Sequence, residues 1–588
     1  MHSYKNYLTH LVKASTLMVC ALFLLLSAHF AHAAEIDLGL RFSDGSETYI
    51  AAIEPFGTLT SPLRISDENG DVYGVILVDV SDPDALPVRI QTSGGTKAIK
   101  KYNPFDPSVI TSCEELQKIG YYAEYPGSED YTIDPDPAKN YGNNYIDCRA
   151  TNPANPENAG SVWDATTGGL YYSAGGKGFL PLAIGSVFTG SIDGQGNKIV
   201  NLFIDRRTSS DYGYSTGLIS YGSGASISNL GLQSTTIKGE TYVGGLVASC
   251  AGCTITNSYV KGTVNGYGPS GDKGGLVGRL MSPSVVTNSY TTGTMGIRDG
   301  YLTGGVFGSV YGSTIDGCYS TATTYGKGGL AGTVDSSTIT NSYTTGRVIG
   351  KYGGSMTGGL VGYVSGASSI TNSYATGNVT AGDYGWHTGG LVGVNSGGST
   401  ITNSYATGNV FGDQYNTGGL VGKNDRSTIT KSYASGDVDG LYDVGGLVGY
   451  NDGNITALTG STITNSYATG NVTGTSWVGG FAGLHQYNSK INRSYSTGLV
   501  TAGGQSVGGF IGRNISSTQA YSYYNYQSSG QANPVGSGSS TGVGKKTTTQ
   551  MKQQGTYTGF NFTTPIWKMI SGRYACLNWQ TNASCPIP

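Results

Sequence analysis

The sequence is poor in charge and in histidine. Charged residues make up 12% of the 588, and four of the six histidines (His2, His10, His29 and His32) fall within the first 33 positions. So weak and slightly acidic a charge leaves no electrostatic footprint for nucleic acid. Hydrolytic triads need a histidine, and only His387 and His485 lie beyond the N-terminal segment, in variable or degenerate parts of separate units. Each is read as a surface residue. No H-E-x-x-H, G-x-S-x-G or P-loop pattern occurs, and the calcium-binding nonapeptide of β-rolls is missing. No unit carries a helix-length amphipathic pattern, and nothing after the N-terminal segment is apolar enough to cross a membrane. No cofactor or metal is expected.

What is present begins with a leader. Lys5 and Lys13 precede an apolar run from Leu17 to Leu26, and Ala31-His32-Ala33 supplies small residues for a signal peptidase. Cleavage after Ala33 is expected, with export. Cys20 follows Leu17, Met18 and Val19, which does not suit lipidation. Removing two lysines and no acid moves the formal charge from -3 to about -5. Seven cysteines remain in an oxidising setting. Proximity along the chain suggests Cys113–Cys148, Cys250–Cys253 and Cys576–Cys585, although sequence alone does not fix connectivity. Cys250-Ala-Gly-Cys253 could be a redox pair or half a zinc site, but a turn staple is favoured.

Glycine (95) and tyrosine (43) are abundant, and the reason is repetition. A Gly-Gly pair recurs at Gly244, Gly274, Gly304, Gly328, Gly358, Gly389, Gly418, Gly445, Gly479 and Gly508. Each is followed by a T-I-T-N-S-Y-like stretch ending in a tyrosine, from Tyr259 to Tyr523. The separation from Gly-Gly to tyrosine is 15 or 16 residues in nine of ten units, whereas tyrosine to the next Gly-Gly varies from 9 to 15. A fixed half and a variable half are expected when strands must register between coils while one corner is a free loop. In Thr400 to Tyr405, alternation puts Ile401 on one face and both threonines on the other. Leu420 and Val421 add apolar mass after Gly418-Gly419, and Val410 marks a third short strand. Like then stacks on like. Asn257, Asn288, Asn341, Asn372, Asn403 and Asn465 are expected to form an amide ladder beside a stack of tyrosines. Cys318 occupies a serine position of that ladder. Ten coils at about 4.8 Å each give a rod of about 50 Å.

Gly-Gly-Leu-Val-Gly with T-I-T-N-S-Y-A-T-G-N-V (Thr400 to Val410) resembles the GLUG repeat of bacterial secreted and surface proteins. Residues 180–199 resemble the segment that precedes such repeats, and Ile566 to Trp579 the segment that closes them. The resemblance covers about 110 to 588. It implies an all-β fold: a parallel β-helix, expected right-handed, serving as an adhesin-like stalk, with no settled catalytic residues. The expected organisation is a signal peptide (1–33), a small β-sandwich-like module (34–103), an N-terminal cap and first coils (104–210), and the repeat solenoid (211–525). A flexible linker (526–546) and a C-terminal cap (547–588) follow. Ser112-Cys113-Glu114-Glu115 has the form of a helix start within the first cap.

The functional reading is a non-enzymatic surface or secreted solenoid. Its partners would be glycans, host or environmental surfaces, or other cell-envelope components, and not nucleic acid. Tyr267, Tyr301, Tyr352, Tyr384, Trp386, Tyr415 and Tyr442 sit in the variable half, where aromatics can stack on sugars or cover neighbouring coils. The enzymatic alternative is a polysaccharide hydrolase or lyase, which would cluster carboxylates such as Asp425, Asp437, Asp439, Asp443 and Asp452 on one face. Turn acids of a soluble surface explain the same residues more simply. A minor alternative is ice binding by the outward T-x-T pairs, an array that several units break.

Overall fold

A short unit of turns and apolar runs can bury its apolar side only against copies of itself. The computed structural model shows that arrangement: a parallel β-solenoid of about eleven turns. It describes the strand backbones between Ile36 and Tyr102, and residues 108–120, 125–135, 144–148, 178–207 and 215–588. Within the last range 269, 297–301, 352, 354–355, 455 and 457–458 are excepted. The expected signal peptide lies outside the described residues.

Residues 1–107 and 108–588 are two separate units. In the first, the strands Ile36–Ser43, Thr48–Ile53, Leu63–Ser66, Val72–Val78, Ala85–Thr92 and Gly95–Tyr102 form one antiparallel sheet, the last two exchanged in order. This differs from the expected sandwich. Each of the first four strands pairs with its neighbour in sequence, so about 65 residues are used up in a single layer.

The second unit is the solenoid. Thr-Ile-Thr strands form one sheet of fourteen, ending at Thr518–Ala520, and the Leu-Val strands form another of twelve, from Ile219–Ser223 to Val535–Ser537. Paired short strands such as Tyr405–Ala406 and Val410–Phe411 make the third side, and a six-stranded corner sheet runs from Thr357–Gly358 to Val507–Gly508. Register is residue on residue: Ile401 pairs with Ile370 and Ile429. Ile401, Leu391 and Val392 are fully buried in the same coil. Full burial of each such side chain is worth about 1.5–3 kcal/mol, so the columns carry the fold.

The asparagines of the T-I-T-N-S-Y stretch turn the corner in the left-handed region, with φ +49° at Asn403 and +52° at Asn372. Asn403 donates its amide to Asn372 Oδ1 at 3.2 Å, giving the expected external ladder. The next serine points inward. Ser373 Oγ donates to Thr371 O at 2.9 Å and accepts the N–H of Ser342 at 3.2 Å, so one hydroxyl satisfies two coils. Cys318 takes this place in its own coil, fully buried. A second buried serine ladder precedes the Thr-Ile-Thr strand, as where Ser337 N–H donates to Ser368 Oγ at 3.0 Å.

At the start, Ser112 Oγ caps the helix Cys113–Lys118 by accepting Glu115 N–H at 3.2 Å. The Cys113–Cys148 disulfide ties that helix to the first coils. Two expectations at the other end are corrected. Residues 526–546 are not a flexible linker: Val535–Ser537 and Val543–Lys546 pair with the last coil and add a further layer. Val535 and Val543 supply the apolar rung that the Gly and Ser content hides. Residues 547–588 do not sit only at the end of the rod. They run back along the tyrosine ladder, with Trp567 beside Tyr467 and Tyr495 and Trp579 beside Tyr405 and Tyr433.

Candidate functional site

In the coils around residues 384–477 the variable half leads into the strand that ends in Gly-Gly. Alternation along that strand sends one residue out and the next towards the neighbouring sheet. The outward residues form an aromatic rim. Tyr415 stacks on Tyr442 with ring centroids 5.1 Å apart, and Trp386 meets Tyr415 edge-on at 5.6 Å. Tyr384 is 61% exposed, Trp386 50% and Tyr415 37%, values shared elsewhere in the solenoid by Tyr521 at 50% and Phe411 at 43%.

The alternate residues, His387, Asn416, Asp443 and Trp477, form a second column. All four have positive φ, from +54° to +59°. Their backbone lies against the last glycine of the Gly-Gly-Leu-Val-Gly strand, which must therefore lack a side chain. A Cβ on Gly449 would come within 2.5 Å of Asn416 C, and one on Gly483 within 2.3 Å of Asp443 C. Asn416 Nδ2 lies 2.7 Å from His387 Nδ1, which fits donation to a neutral imidazole. Burial pushes the His387 pKa down to about 4. Burial likewise pushes the Asp443 carboxyl up to about 7, with nearby Arg513 pulling the other way. Asn416 Oδ1 and Asp443 Oδ1 are buried and have no hydrogen-bond partner among the described residues. At the far end Trp477 tilts against Tyr442 at 6.2 Å, with the Arg513 guanidinium 5.7 Å from its ring.

Four consecutive matches to the GLUG motif cover residues 353–380, 384–410, 413–439 and 440–473. This stretch of the solenoid is a run of GLUG repeats. No curated protein matches the chain. Among solved structures it is similar to a protein from Bacteroides ovatus named as a candidate immunoglobulin A1 protease. The identity is 14% and the TM-score 0.25, with 80% of this chain and 92% of that chain covered.

Of the seven aromatics expected to face a ligand, the GLUG repeats bring Trp386, Tyr415 and Tyr442 together, with Tyr384 on the adjoining turn. Tyr267 stands apart in an earlier coil under the Arg207 guanidinium, 5.1 Å from its ring. Tyr301 and Tyr352 lie outside the described residues. Sequence reasoning missed the His387–Asn416–Asp443–Trp477 column. Its signal was present in the residues that precede each Gly-Gly, as in Tyr415-Asn416-Thr417 and Tyr442-Asp443-Val444.

The five acids of the enzymatic alternative are divided. Asp437 accepts Asn471 N–H at 2.9 Å in a backbone-capping column, and Asp439 is exposed beside Phe411. Asp425 pairs with Arg426 at 3.1 Å and Asp452 with Lys423 at 3.0 Å. Neither histidine lies freely on the surface: His387 is half-buried, and His485 is fully buried, with Nδ1 3.1 Å from Asn451 Nδ2. Asn395, Asn424, Asn451 and His485 form a buried polar ladder in place of the apolar residues of earlier coils. The disulfides are Cys113–Cys148, Cys250–Cys253 and Cys576–Cys585. Among the described residues no cluster of three or more His, Cys, Asp or Glu could hold a metal, and no helix is long and apolar enough to cross a membrane.

Proposed function

We propose that the protein is an exported, non-enzymatic β-solenoid that binds surface glycans through the rim formed by Trp386, Tyr415 and Tyr442. The observation that carries this reading is the rim itself. Large aromatic faces and edges are left exposed on successive coils, and sugars present the apolar ring faces that such residues take. The three disulfides suit an oxidising compartment, and the leader supports export. The rod holds the rim rigidly on successive coils, so one chain offers several contacts along a linear glycan.

A glycan array with the full chain tests the reading. Binding is expected for the unmodified protein and is expected to fall at least tenfold in the Trp386→Ala/Tyr415→Ala double variant, with far-ultraviolet circular dichroism unchanged. Binding that survives the double variant would remove the rim from the function. Release of new reducing ends from a bound glycan would show an enzyme instead.

A further inference from the structure

The tyrosine ladder has two halves that differ in cover and not in spacing. From Tyr259 to Tyr374 successive rings stack with centroids between 4.6 and 5.0 Å apart and interplanar angles of 14° or less. Tyr433, Tyr467 and Tyr495 stack as closely, at 4.9 and 5.0 Å. The later rings, however, lie under the C-terminal segment. Tyr433, Tyr467, Tyr495 and Tyr523 are 5%, 1%, 0% and 7% exposed. The hydroxyls of Tyr467, Tyr495 and Tyr523 donate to Gln580 Oε1, Ala575 O and Thr558 O. The earlier rings are only partly buried, and among the described residues their hydroxyls meet no protein acceptor, so their O–H edges face water.

We propose that this open run, Tyr259 to Tyr374, is a site of oxidative modification at which tyrosines of neighbouring coils are joined in pairs by dityrosine bonds. The oxidant is of the haem-peroxidase class, drawing on hydrogen peroxide. Two phenols each lose an electron to it and their hydroxyl proton to water, which leaves two neutral phenoxyl radicals. A carbon ortho to each oxygen forms the new C–C bond. Each of these carbons then gives up its hydrogen as a proton and each oxygen takes a proton back, restoring two phenols. Two tyrosines thus yield one dityrosine, two protons and two electrons, and with these one hydrogen peroxide becomes two waters.

The fold supplies the partner before oxidation begins. Tyr259, Tyr290, Tyr319, Tyr343 and Tyr374 pair residue on residue between adjacent coils, so coupling takes place within one molecule and between groups already side by side. Stacked rings do not bond face to face; one must tilt its edge towards the next. The open rings have water on that side. The sealed rings are held by their hydroxyl bonds and by Trp567 and Trp579, and no water meets their hydroxyls to take the proton. Each bond would set a covalent rung between coils otherwise joined by backbone hydrogen bonds and packing. The reaction does not depend on glycan binding by the rim. Tyr415 and Tyr442, 5.1 Å apart and accessible, are a second place for the same chemistry, so the position of the links decides the matter.

Treatment of the full chain with a haem peroxidase and hydrogen peroxide, followed by peptide mapping, tests this. Dityrosine fluorescence is expected from a chain that stays single, with links among Tyr259 to Tyr374 about tenfold more abundant than links among Tyr433 to Tyr523. Tyr319→Phe keeps a stacked ring but has no hydroxyl to oxidise. It is expected to abolish the links to Tyr290 and Tyr343 and to leave those of Tyr259 with Tyr290 and of Tyr343 with Tyr374. Equal linkage in the sealed half would overturn the proposal, because cover would then not select the site. Links confined to Tyr415 and Tyr442, links only between chains through the exposed Tyr384 or Tyr521, or no dityrosine at all would overturn it too. The map of the unmodified protein decides the point even where the variant fails to fold.

Discussion

Trp579 stacks on Tyr405, ring centroids 6.0 Å apart, and its indole N–H reaches the carbonyl of Lys431 at 3.1 Å. The contact joins the end of the chain to the middle of the rod. Tyrosines from Tyr259 to Tyr495 stack at 4.6 to 5.0 Å, their ring faces covered by one another and their hydroxyl edges turned outward. The C-terminal segment seals the later part of this ladder by meeting those edges. Tyr467 bonds Gln580, Tyr495 bonds the carbonyl of Ala575, and Tyr523 that of Thr558.

Trp567 is the centre of that seal. It is fully buried against Tyr467, Tyr495 and Phe560, and its indole donates to Asn465 Oδ1 at 3.2 Å. Trp567→Ala is expected to cost about 3–5 kcal/mol. Trp579, more than a third exposed, is expected to cost about 1 kcal/mol on the same change. Urea unfolding followed by tyrosine fluorescence measures both, and equal losses would contradict this account of the seal.

Lys431 and Arg493 occupy the turn position that asparagine holds elsewhere, at φ +49° and +48°. A lysine bears the left-handed conformation at a cost of about 1–2 kcal/mol, which asparagine largely avoids. Lys431→Asn is therefore expected to stabilise the protein by about 1 kcal/mol and to extend the external amide ladder. The melting temperature checks it, and a fall would show that the lysine stem is needed for packing.

These turns show what the sequence made legible. The period, the alternation in Thr-Ile-Thr, the asparagine and tyrosine columns and the place of Cys318 all follow from like stacking on like, which repetition displays directly. The course of residues 547–588 was hidden because Trp567 and Trp579 belong to no repeat, and their partners are distant in sequence. The rim was half legible. Aromatics in variable loops were visible, but only register shows that Trp386, Tyr415 and Tyr442 meet and Tyr267 does not. The column behind them was missed because its one residue per coil differs each time, so that only its place before each Gly-Gly pair marks it.

The last glycine of the motif is where construction and site coincide. Gly483 lets the backbone of Asp443 lie on the neighbouring sheet, and an added Cβ would fall within 2.3 Å of a backbone carbon that has no room to move. Gly483→Ala is expected to destabilise by about 1–3 kcal/mol through overpacking and to weaken glycan binding in step. Ala at Gly503, where a Cβ would meet nothing within 4 Å, is the control and is expected to leave both unchanged. Equal effects at the two positions would show that close approach is not the cause.

Cys318 is a serine of the ladder in which oxygen is replaced by sulfur. Its thiol lies 3.6 Å from the carbonyls of Val286 and Asp316, and burial pushes its pKa up to about 12. The native protein is expected to show no reaction with a thiol reagent, and one reactive thiol on unfolding without reductant. Cys318→Ser restores a hydroxyl between Ser289 and Ser342 and is expected to change stability by no more than about 1 kcal/mol, towards greater stability. Rapid labelling of the folded protein would contradict the buried ladder position.

His485 gives the rod a defined acid sensitivity. Fully buried between Asn451 and the carbonyl of Thr518, it is held neutral, its pKa pushed from 6.5 down to about 4 by burial. The unfolded chain therefore binds a proton between these values that the folded chain does not, so stability rises with pH across the window. The contribution is complete above pH 6.5 and is lost as pH falls towards 4, an amount of about 3 kcal/mol at 1.36 kcal/mol per unit. His387 is shifted in the same direction and Asp443 in the opposite one, so the unmodified protein reports their combined effect. The difference between it and His485→Asn isolates the one residue. Asparagine at 485 continues the buried ladder through Asn451 in register and cannot charge. The variant is expected to match the parent within about 1 kcal/mol at pH 7.5 and to exceed it at pH 4.5, by urea unfolding at each pH. Parallel stability curves across pH 4 to 7 would show that His485 is not held neutral in the fold.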